Sequence, residues 1–304
     1  MSWQRVEEPD CPNRSDRDAV EVLVVPRAHD LGGLPVRRSL PSPRRRMVGP
    51  FVFFDQMGPT VFSPGQALDV RPHPHIGLAT VTWLVEGEIV HRDSLGVVQP
   101  IRPGEVNWMT AGRGIVHSER SPDTARSGGA RLCGIQTWIA LPKRDEETAP
   151  AFTHYAAERI PVVEGDGVRA ALIAGAAWGR RSPVEVFSET LYADVRITAG
   201  RSLDLPTDVE ERGVYVLSGE IAIGAASFAA GSLLILKTGW EIVVHAVAAS
   251  HVFVIGGAAM DGPRHVWWNF VSSSRERIEQ AKRDWTEGRF ARVPGEEEFI
   301  PLPE

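Results

Sequence analysis

The chain has 304 residues, of which 43% are hydrophobic and 24% are charged; these values are typical of globular proteins of about two domains and exclude a disordered or fibrous chain. Its 33 Lys and Arg residues against 39 Asp and Glu residues give a net charge of -6, so the chain lacks the positive field of a dedicated nucleic-acid-binding protein and we expect no direct nucleic-acid binding. Two cysteines, Cys11 and Cys133, are too few for a disulfide framework or a cysteine-based zinc site.

The N-terminal segment gives no sign of export. It is charged in the place where a signal peptide needs an apolar core, and no apolar run in the chain approaches the length of a membrane span. The sequence therefore predicts a cytoplasmic protein that makes no contact with a membrane.

A basic run, Arg37–Arg46, is the first segment with a possible binding role. Its composition is that of a polyanion-binding patch. Because prolines and serines split the run and the whole chain is acidic, we favour a solvated connection whose arginines form ion pairs.

The clearest structural pattern runs from Leu78 to Glu119. Short segments rich in Val, Ile, Thr and Trp alternate with turns at residues 86–87, 94–96, 102–104 and 112–114, which predicts a meander of short antiparallel strands. Strands this short and numerous close best into a barrel or jelly roll. The fold class predicted is all-β.

A second all-β stretch, residues 213–257, repeats this plan, with Gly219 in the place of Gly87, and indicates a diverged duplication. Between the copies lies a charged segment bracketed by prolines, Pro142–Pro150. We place the boundary there, which gives domains of residues 1–145 and 146–304.

One helix is predicted near the C-terminus. Ser273 and Glu276 have the spacing of a capping box, Ile278 and Trp285 share one face, and Gly288 ends the run. An amphipathic helix of this kind is expected to brace the barrels.

Two histidine-containing pairs carry the chemistry of the chain. His73 and His75, and likewise His117 and Glu119, are two residues apart, so on a strand each pair points to one face of the sheet. Three imidazoles and one carboxylate can converge on one ion, a set that suits Fe(II), Mn, Ni, Cu or Zn. A lone histidine is more often bonded to the backbone, but two pairs in the same phase favour a metal site. His91 is a reserve ligand, for which we favour a hydrogen-bonding role.

These motifs resemble a known family. The segment PHPHIGLATVTWLVEGEIVHRDSLG followed by PGEVNWMTAGRGIVHSER resembles the cupin metal-binding motifs in the form carried by pirins, and GPFVFFDQMGP, WNFVSSSRERIEQAKRDW and FIPLP add to the likeness. The resemblance covers roughly residues 20–304 and implies a bicupin: an N-terminal metal-binding barrel, a degenerate C-terminal barrel and a short C-terminal helix.

The resemblance also assigns ligands. It places them at His73, His75, His117 and Glu119, the same four residues that strand spacing selects. A general cupin has a further glutamate shortly after its H-x-H motif, but this chain has Ala79 in that neighbourhood, so Glu119 must supply the carboxylate. The second copy has no H-x-H motif, and we expect it to bind no metal.

Substrate contacts are less clearly marked. The resemblance places the segment Phe51–Met57 near the mouth of the metal barrel, where Phe53 is a candidate for stacking on a planar ligand, although buried aromatic residues usually pack in cores. Trp108 is a lumen or core residue, and Arg113 meets either an anionic ligand or a surface carboxylate. Phe53, Trp108 and Arg113 are therefore our candidate substrate-binding residues.

Two functions follow from the resemblance. The first is a flavonol (quercetin) 2,3-dioxygenase that acts on a small aromatic or polyphenolic substrate, with Fe(II) as the preferred ion, Mn, Ni, Cu and Zn as alternatives, and Glu119 as ligand or catalytic base. The second is a non-enzymatic redox- or metal-sensing regulator that binds a protein partner. Motifs for nucleotide binding and for serine hydrolysis are absent from the sequence.

Overall fold

The computed structural model describes residues 19–30 and 34–303, so Cys11 and the charged N-terminal segment lie outside the described residues. The elements of the first half are β1 (Val20–Val24), β2 (Arg27–Asp30), β3 (Pro35–Leu40), β4 (Phe51–Phe62), β5 (Asp69–His75), β6 (Leu78–Glu86), β7 (Ile89–Asp93), β8 (Val98–Ile101), β9 (Val106–Thr110), β10 (Ile115–Arg120), α1 (Asp123–Gly128), β11 (Ala130–Ala140) and β12 (Ala151–Tyr155).

The second half is also built mainly of strands. Its elements are β13 (Val162–Gly165), β14 (Val168–Ala177), β15 (Arg180–Arg181), β16 (Thr190–Ile197), β17 (Ser202–Asp204), β18 (Glu211–Ser218), β19 (Glu220–Ile223), β20 (Ala226–Ala229), β21 (Leu233–Leu236), β22 (Val243–Ala246), β23 (Ser250–Gly257), β24 (His265–Trp267), β25 (Phe270–Ser272) and α2 (Arg275–Thr286). The chain is thus mostly β with a C-terminal helix, as its sequence predicts, and the short helix α1 is an addition that the sequence pattern does not predict.

Two sheets form the N-terminal domain. One has the order β12-β9-β6-β11-β4-β3-β2 and the other the order β5-β10-β7-β8. The strands predicted between Leu78 and Glu119 are present, but the meander pairing was wrong: β6 pairs with β9 and β11, whereas β7 pairs with β8 and β10. Apart from the β7–β8 hairpin, successive strands from β4 to β11 alternate between the two sheets, and each sheet buries one face against the other, which is the jelly-roll arrangement.

The C-terminal domain repeats this architecture. Its large sheet runs β1-β21-β18-β23-β16-β14-β13, with β15 beside β14, and its small sheet runs β17-β22-β19-β20. Aliphatic side chains from both sheets fill the space between them.

Two strands cross the boundary that the sequence places after residue 145. The N-terminal strand β1 pairs with β21 in the large sheet of the C-terminal domain. In return, β12 pairs with β9 in the large sheet of the N-terminal domain. Each domain therefore borrows one edge strand from the other half of the chain.

The two domains pack through their large sheets. A core of buried side chains from both sheets lies between them. The rings of Phe54 and Tyr215 lie 4.9 Å apart across this core, and the indole N–H of Trp83 donates a hydrogen bond of 2.7 Å to the carboxylate of Asp194. Satisfied polar groups inside an apolar interface fix how the two sheets face each other.

The C-terminal tail returns to the N-terminal domain. Ile76, directly after β5, forms a parallel bridge with Phe270 in β25, and the Ile300 amide donates to the Pro72 carbonyl at 2.8 Å. Buried Ile278 packs α2 against Ile76 and Phe270. The tail thus holds the strand that carries the first histidine pair.

The predicted helix exists, but its cap was assigned to the wrong serine. Ser274 is the N-cap, and its hydroxyl accepts a hydrogen bond of 3.2 Å from the Arg277 amide. The hydroxyl of Ser273 instead donates to the Glu146 carboxylate at 3.0 Å. Neighbouring serines offer the same capping chemistry, and the long-range contact with Glu146 decides between them. No helix within the described ranges is long and apolar enough to cross a membrane.

Candidate metal centre

Strands β5 and β10 bring the histidines together. The strands are antiparallel, and His73 lies directly opposite His117 in their register. His75, two residues further along β5, points to the same face. The ring centroids lie 4.4 to 5.0 Å apart, and one ring nitrogen from each histidine lies within 4.8 Å of those of the other two. The strand spacing read from the sequence thus produces a cluster of three imidazoles.

Two of these rings are fixed by backbone carbonyl groups. The Nδ1 atom of His73 lies 2.9 Å from the Arg71 carbonyl oxygen, and the Nδ1 atom of His75 lies 3.0 Å from the Asn269 carbonyl oxygen. A carbonyl oxygen accepts only, so Nδ1 carries the proton in both rings and Nε2 carries the lone pair. Both histidines therefore have a free Nε2 atom for a ligand.

The third ring also has one nitrogen in contact with another residue and one nitrogen without a partner among the described residues. The Nδ1 atom of His117 lies 3.3 Å from the Nδ1 atom of His91. Its Nε2 atom is buried and has no hydrogen-bond partner among the described residues. Such a buried nitrogen is costly unless something binds it, and together with the Nε2 lone pairs of His73 and His75 it fits a metal ion.

Burial keeps the three rings neutral. It lowers the pKa of His73 to about 4, with the Arg71 carbonyl opposing the shift. Burial and the neighbouring histidines hold the pKa values of His75 and His117 well below the usual value. A metal binds the neutral imidazole, so the site is ready for an ion at neutral pH.

Glu119 shares the histidines' face of β10 but lies outside the cluster of three. Its half-buried carboxylate accepts a hydrogen bond of 3.1 Å from the Thr82 hydroxyl, which also lies 2.7 Å from the Gln136 carbonyl oxygen. Burial raises the pKa of Glu119, although His91 and Thr82 oppose the shift. The Glu119 carboxylate thus lies beside the cluster, next to the polar groups of Thr82 and Gln136, which the sequence pattern does not predict.

His91 has the hydrogen-bonding role that we favoured for it. Its Nε2 atom lies 3.0 Å from the Asp93 carboxylate, and its ring stacks on Phe152 with centroids 4.5 Å apart. The HRD spacing already places His91 and Asp93 on one face of β7, so the sequence contained the signal for this pair.

Aromatic rings form one wall of the site. The Trp138 ring lies 5.1 Å from the ring of His75, and Phe53 stacks on Trp138 at 4.0 Å. The guanidinium of Arg38, paired with Asp55 at 2.8 Å, lies 4.4 Å from the centre of Phe53. Phe53 is therefore one ring away from a ligand, and Trp138 is a site residue that sequence reasoning missed.

The structure places the other two candidate substrate residues elsewhere. Trp108 is opposite Val81 in the sheet, on the face that packs between the domains, and its indole N–H donates to Thr110 at 3.2 Å. The side chain of Arg113 is exposed in the turn between β9 and β10, and its carbonyl accepts a bond of 2.7 Å from Arg277.

The histidines of the second domain have other partners. His245 is exposed and lies 3.0 Å from the Ser202 hydroxyl. The Nε2 atom of His251 lies 2.6 Å from the Asp194 carboxylate. Of the residues that the structure describes, only His73, His75 and His117 form a group with metal-binding geometry.

Comparison with known proteins gives matches along most of the chain. Residues 33–139 match the family described as Pirin, and residues 192–291 match the Pirin C-terminal cupin domain. A pirin-like protein of Caulobacter vibrioides is 46% identical over 290 residues, which span 94% of this chain and 100% of that protein. A crystal structure described as quercetin 2,3-dioxygenase from Acinetobacter baumannii is 36% identical, spans 93% of this chain and 95% of its own, and superposes with a TM-score of 0.86. A second structure of that description and organism is 28% identical, with a TM-score of 0.83 over 90% of this chain and 98% of its own.

Proposed function

This chain belongs to the pirin family, and from that premise we propose that it is a metal-dependent dioxygenase of flavonol-type polyphenols with Fe(II) at the three-histidine site. The observation that carries the proposal is the set of three buried, neutral imidazoles with free Nε2 atoms. Three nitrogen ligands and one carboxylate leave about two positions of an octahedral ion for exogenous ligands.

Glu119 is the fourth ligand or the base in this proposal. Bound Fe(II) would act as a Lewis acid that makes a substrate hydroxyl group more acidic. Because burial raises the pKa of Glu119, its carboxylate accepts a proton more readily than an exposed glutamate does. The Thr82 hydroxyl contacts one oxygen of Glu119 at 3.1 Å and so restricts the position of the carboxylate.

Aromatic side chains near the cluster support an aromatic substrate class. Trp138, Phe53 and the partly buried Phe152 present aromatic surface close to His75 and His91. Rigid aromatic walls favour a planar aromatic ligand over a flexible polar one. Among planar aromatic ligands, the two structural relatives described as quercetin 2,3-dioxygenases support the flavonols.

The test is oxygen consumption by protein loaded anaerobically with Fe(II). We expect quercetin to be consumed together with dissolved oxygen in equal amounts, which an oxygen electrode and the flavonol absorption band measure in parallel. The His73→Ala variant should lose this activity. The matched control is His245→Ala, which removes an exposed histidine of the second domain and should keep it.

A fully loaded wild-type protein that consumes no oxygen with a broad panel of phenols contradicts the proposal. That result would favour the non-enzymatic alternative, in which the oxidation state of the metal changes the affinity for a protein partner.

A further inference from the structure

His117 differs from the other two histidines of the cluster in how its outer nitrogen is held. His73 and His75 each donate directly to a backbone carbonyl oxygen. The Nδ1 atom of His117 instead faces the Nδ1 atom of His91 at 3.3 Å. An imidazole nitrogen either donates or accepts, so this contact alone does not set which ring carries the proton between them.

Asp93 removes that ambiguity. Its Oδ1 atom accepts hydrogen bonds from the backbone amides of Leu95 at 2.9 Å and Val97 at 3.1 Å, and its Oδ2 atom lies 3.0 Å from the Nε2 atom of His91. The side chain is fully buried and held by the turn after β7. A carboxylate oxygen accepts only, so the proton of His91 must be on Nε2.

The remaining assignments follow in order along the chain of bonds. In its neutral form, His91 with its proton on Nε2 has a lone pair on Nδ1, which accepts from His117. His117 then carries its proton on Nδ1 and its lone pair on Nε2, the atom that has no partner among the described residues. The buried His91 ring cannot turn over freely because it stacks on Phe152 at 4.5 Å, with 21° between the ring planes.

We propose that Asp93 and His91 are positioning residues that fix the tautomer of His117 and so present its Nε2 lone pair to the metal. The carbonyl groups of Arg71 and Asn269 fix the tautomers of His73 and His75 by direct hydrogen bonds. Asp93 has the same effect on His117, but it acts through the ring of His91. Outer partners of metal-binding histidines generally set the ring's tautomer and orientation. The inference rests on metal binding at the three histidines and does not depend on the polyphenol chemistry.

The substitution Asp93→Asn tests the relay because it reverses the proton order without changing the shape. The two backbone amides of Leu95 and Val97 will hold the amide oxygen, which turns the NH2 group toward His91. His91 must then accept at Nε2 and donate from Nδ1, which places the proton of His117 on Nε2. We expect the affinity for Zn2+, measured by chelator competition, to fall about 10- to 100-fold.

A pair of substitutions at position 91 separates the relay from packing. In His91→Asn the amide oxygen takes the place of Nδ1 and still accepts from His117, so Zn2+ affinity should stay within about threefold of wild type. His91→Leu has a similar size but no acceptor and should lose affinity as Asp93→Asn does. Melting of the metal-free proteins shows that each variant is folded.

The double variant His91→Asn with Asp93→Asn gives the decisive comparison. The relay predicts that Asp93→Asn has little effect once His91 is asparagine, since the tautomer of His117 no longer depends on residue 93. Equal effects of Asp93→Asn in both backgrounds would overturn the proposal. So would a wild-type protein that binds no Zn2+, which would remove the metal site itself.

Nuclear magnetic resonance of 15N-histidine in the metal-free protein reads the tautomers directly. We expect a proton on Nδ1 of His117 and on Nε2 of His91 in the wild type, and the proton of His91 on Nδ1 in Asp93→Asn. A wild-type His91 with its proton on Nδ1 would contradict the relay.

Discussion

Each histidine of the cluster has one nitrogen bonded to protein and one free, so its removal takes away both a ligand and a fixed ring. Glu119 differs because an amide oxygen can replace one carboxylate oxygen. We therefore expect Glu119→Gln to retain more metal after dialysis than His75→Ala does. Metal analysis of the two variants measures this directly. A lower content in Glu119→Gln would mean that the negative charge of Glu119 contributes more than the imidazole of His75.

The lowered pKa values predict how the metal-free protein responds to acid. The unfolded chain binds a proton at each of the three histidines as the pH falls below about 6.5, whereas folded His73 resists until its pKa of about 4. The free energy of unfolding should therefore fall with the pH in this window, by about 2 to 3 kcal/mol for His73 alone between about pH 7.5 and pH 4.5. The raised pKa values of Glu119 and Asp55 act in the opposite direction.

Urea unfolding of the wild type and of His73→Asn at both pH values isolates the contribution of this histidine. The variant should lose less stability on acidification, the difference being about 2 to 3 kcal/mol. Parallel losses in the two proteins would show that His73 is not buried in its neutral form.

Sequence spacing predicts residues of the site only where their partners are near in the chain. His73, His75 and His117 follow from strand periodicity and from a recognisable motif. Asn269 and Trp138 do not, because each reaches the cluster through packing of a distant strand. For Trp108, alternation along the strand predicts which residues share its face of the sheet. It does not predict that this face packs between the domains and that the opposite face meets the histidines.

At the scale of elements, Gly77 connects the histidine strand to the tail. It has a φ of 67°, and a Cβ atom there would overlap the carbonyl oxygen of Val271 in β25. Substitution by alanine should push β25 away, destabilise the protein by about 2 kcal/mol or more and weaken metal retention, since Asn269 beside β25 holds His75.

Gly200→Ala is the matched control for this substitution. Gly200 has a φ of 76°, but no atom lies within 4 Å of the position that an added Cβ atom would take, so only the backbone cost of about 1 kcal/mol applies. Thermal unfolding and metal content of both variants check the prediction. Equal effects would mean that contact with the tail does not support the site.

The existence of the strands could be predicted from alternation and turn residues, but their pairing could not. A two-residue period places side chains on faces without stating which strand lies next to which. The exchange of β1 and β12 pairs each strand with an edge of the other domain's large sheet, and periodicity within a strand does not reveal such an edge.

At the scale of the whole molecule, this exchange makes the domains depend on each other. The fragment of residues 1–145 lacks β12 and the tail, the fragment of residues 146–304 lacks β1, and each exposes its side of the interdomain core. We expect neither fragment to fold alone, because the lost strands and exposed apolar surface outweigh a stability of about 5 to 15 kcal/mol. Circular dichroism and unfolding of the separate fragments test this.

The control is the full chain carrying an engineered protease site between Pro142 and Pro150. After cleavage it should remain folded, since the two pieces still supply every strand. Cooperative unfolding of either isolated fragment would show that the boundary after residue 145 separates two independent domains.

The most direct test of a single metal centre in the N-terminal domain is a crystal of the metal-loaded protein, measured at the absorption edge of the metal. The account predicts one anomalous peak per chain, within bonding distance of the Nε2 atoms of His73, His75 and His117 and of an oxygen of Glu119. A peak that lies elsewhere, or a loaded protein with no peak among these three histidines, would contradict it.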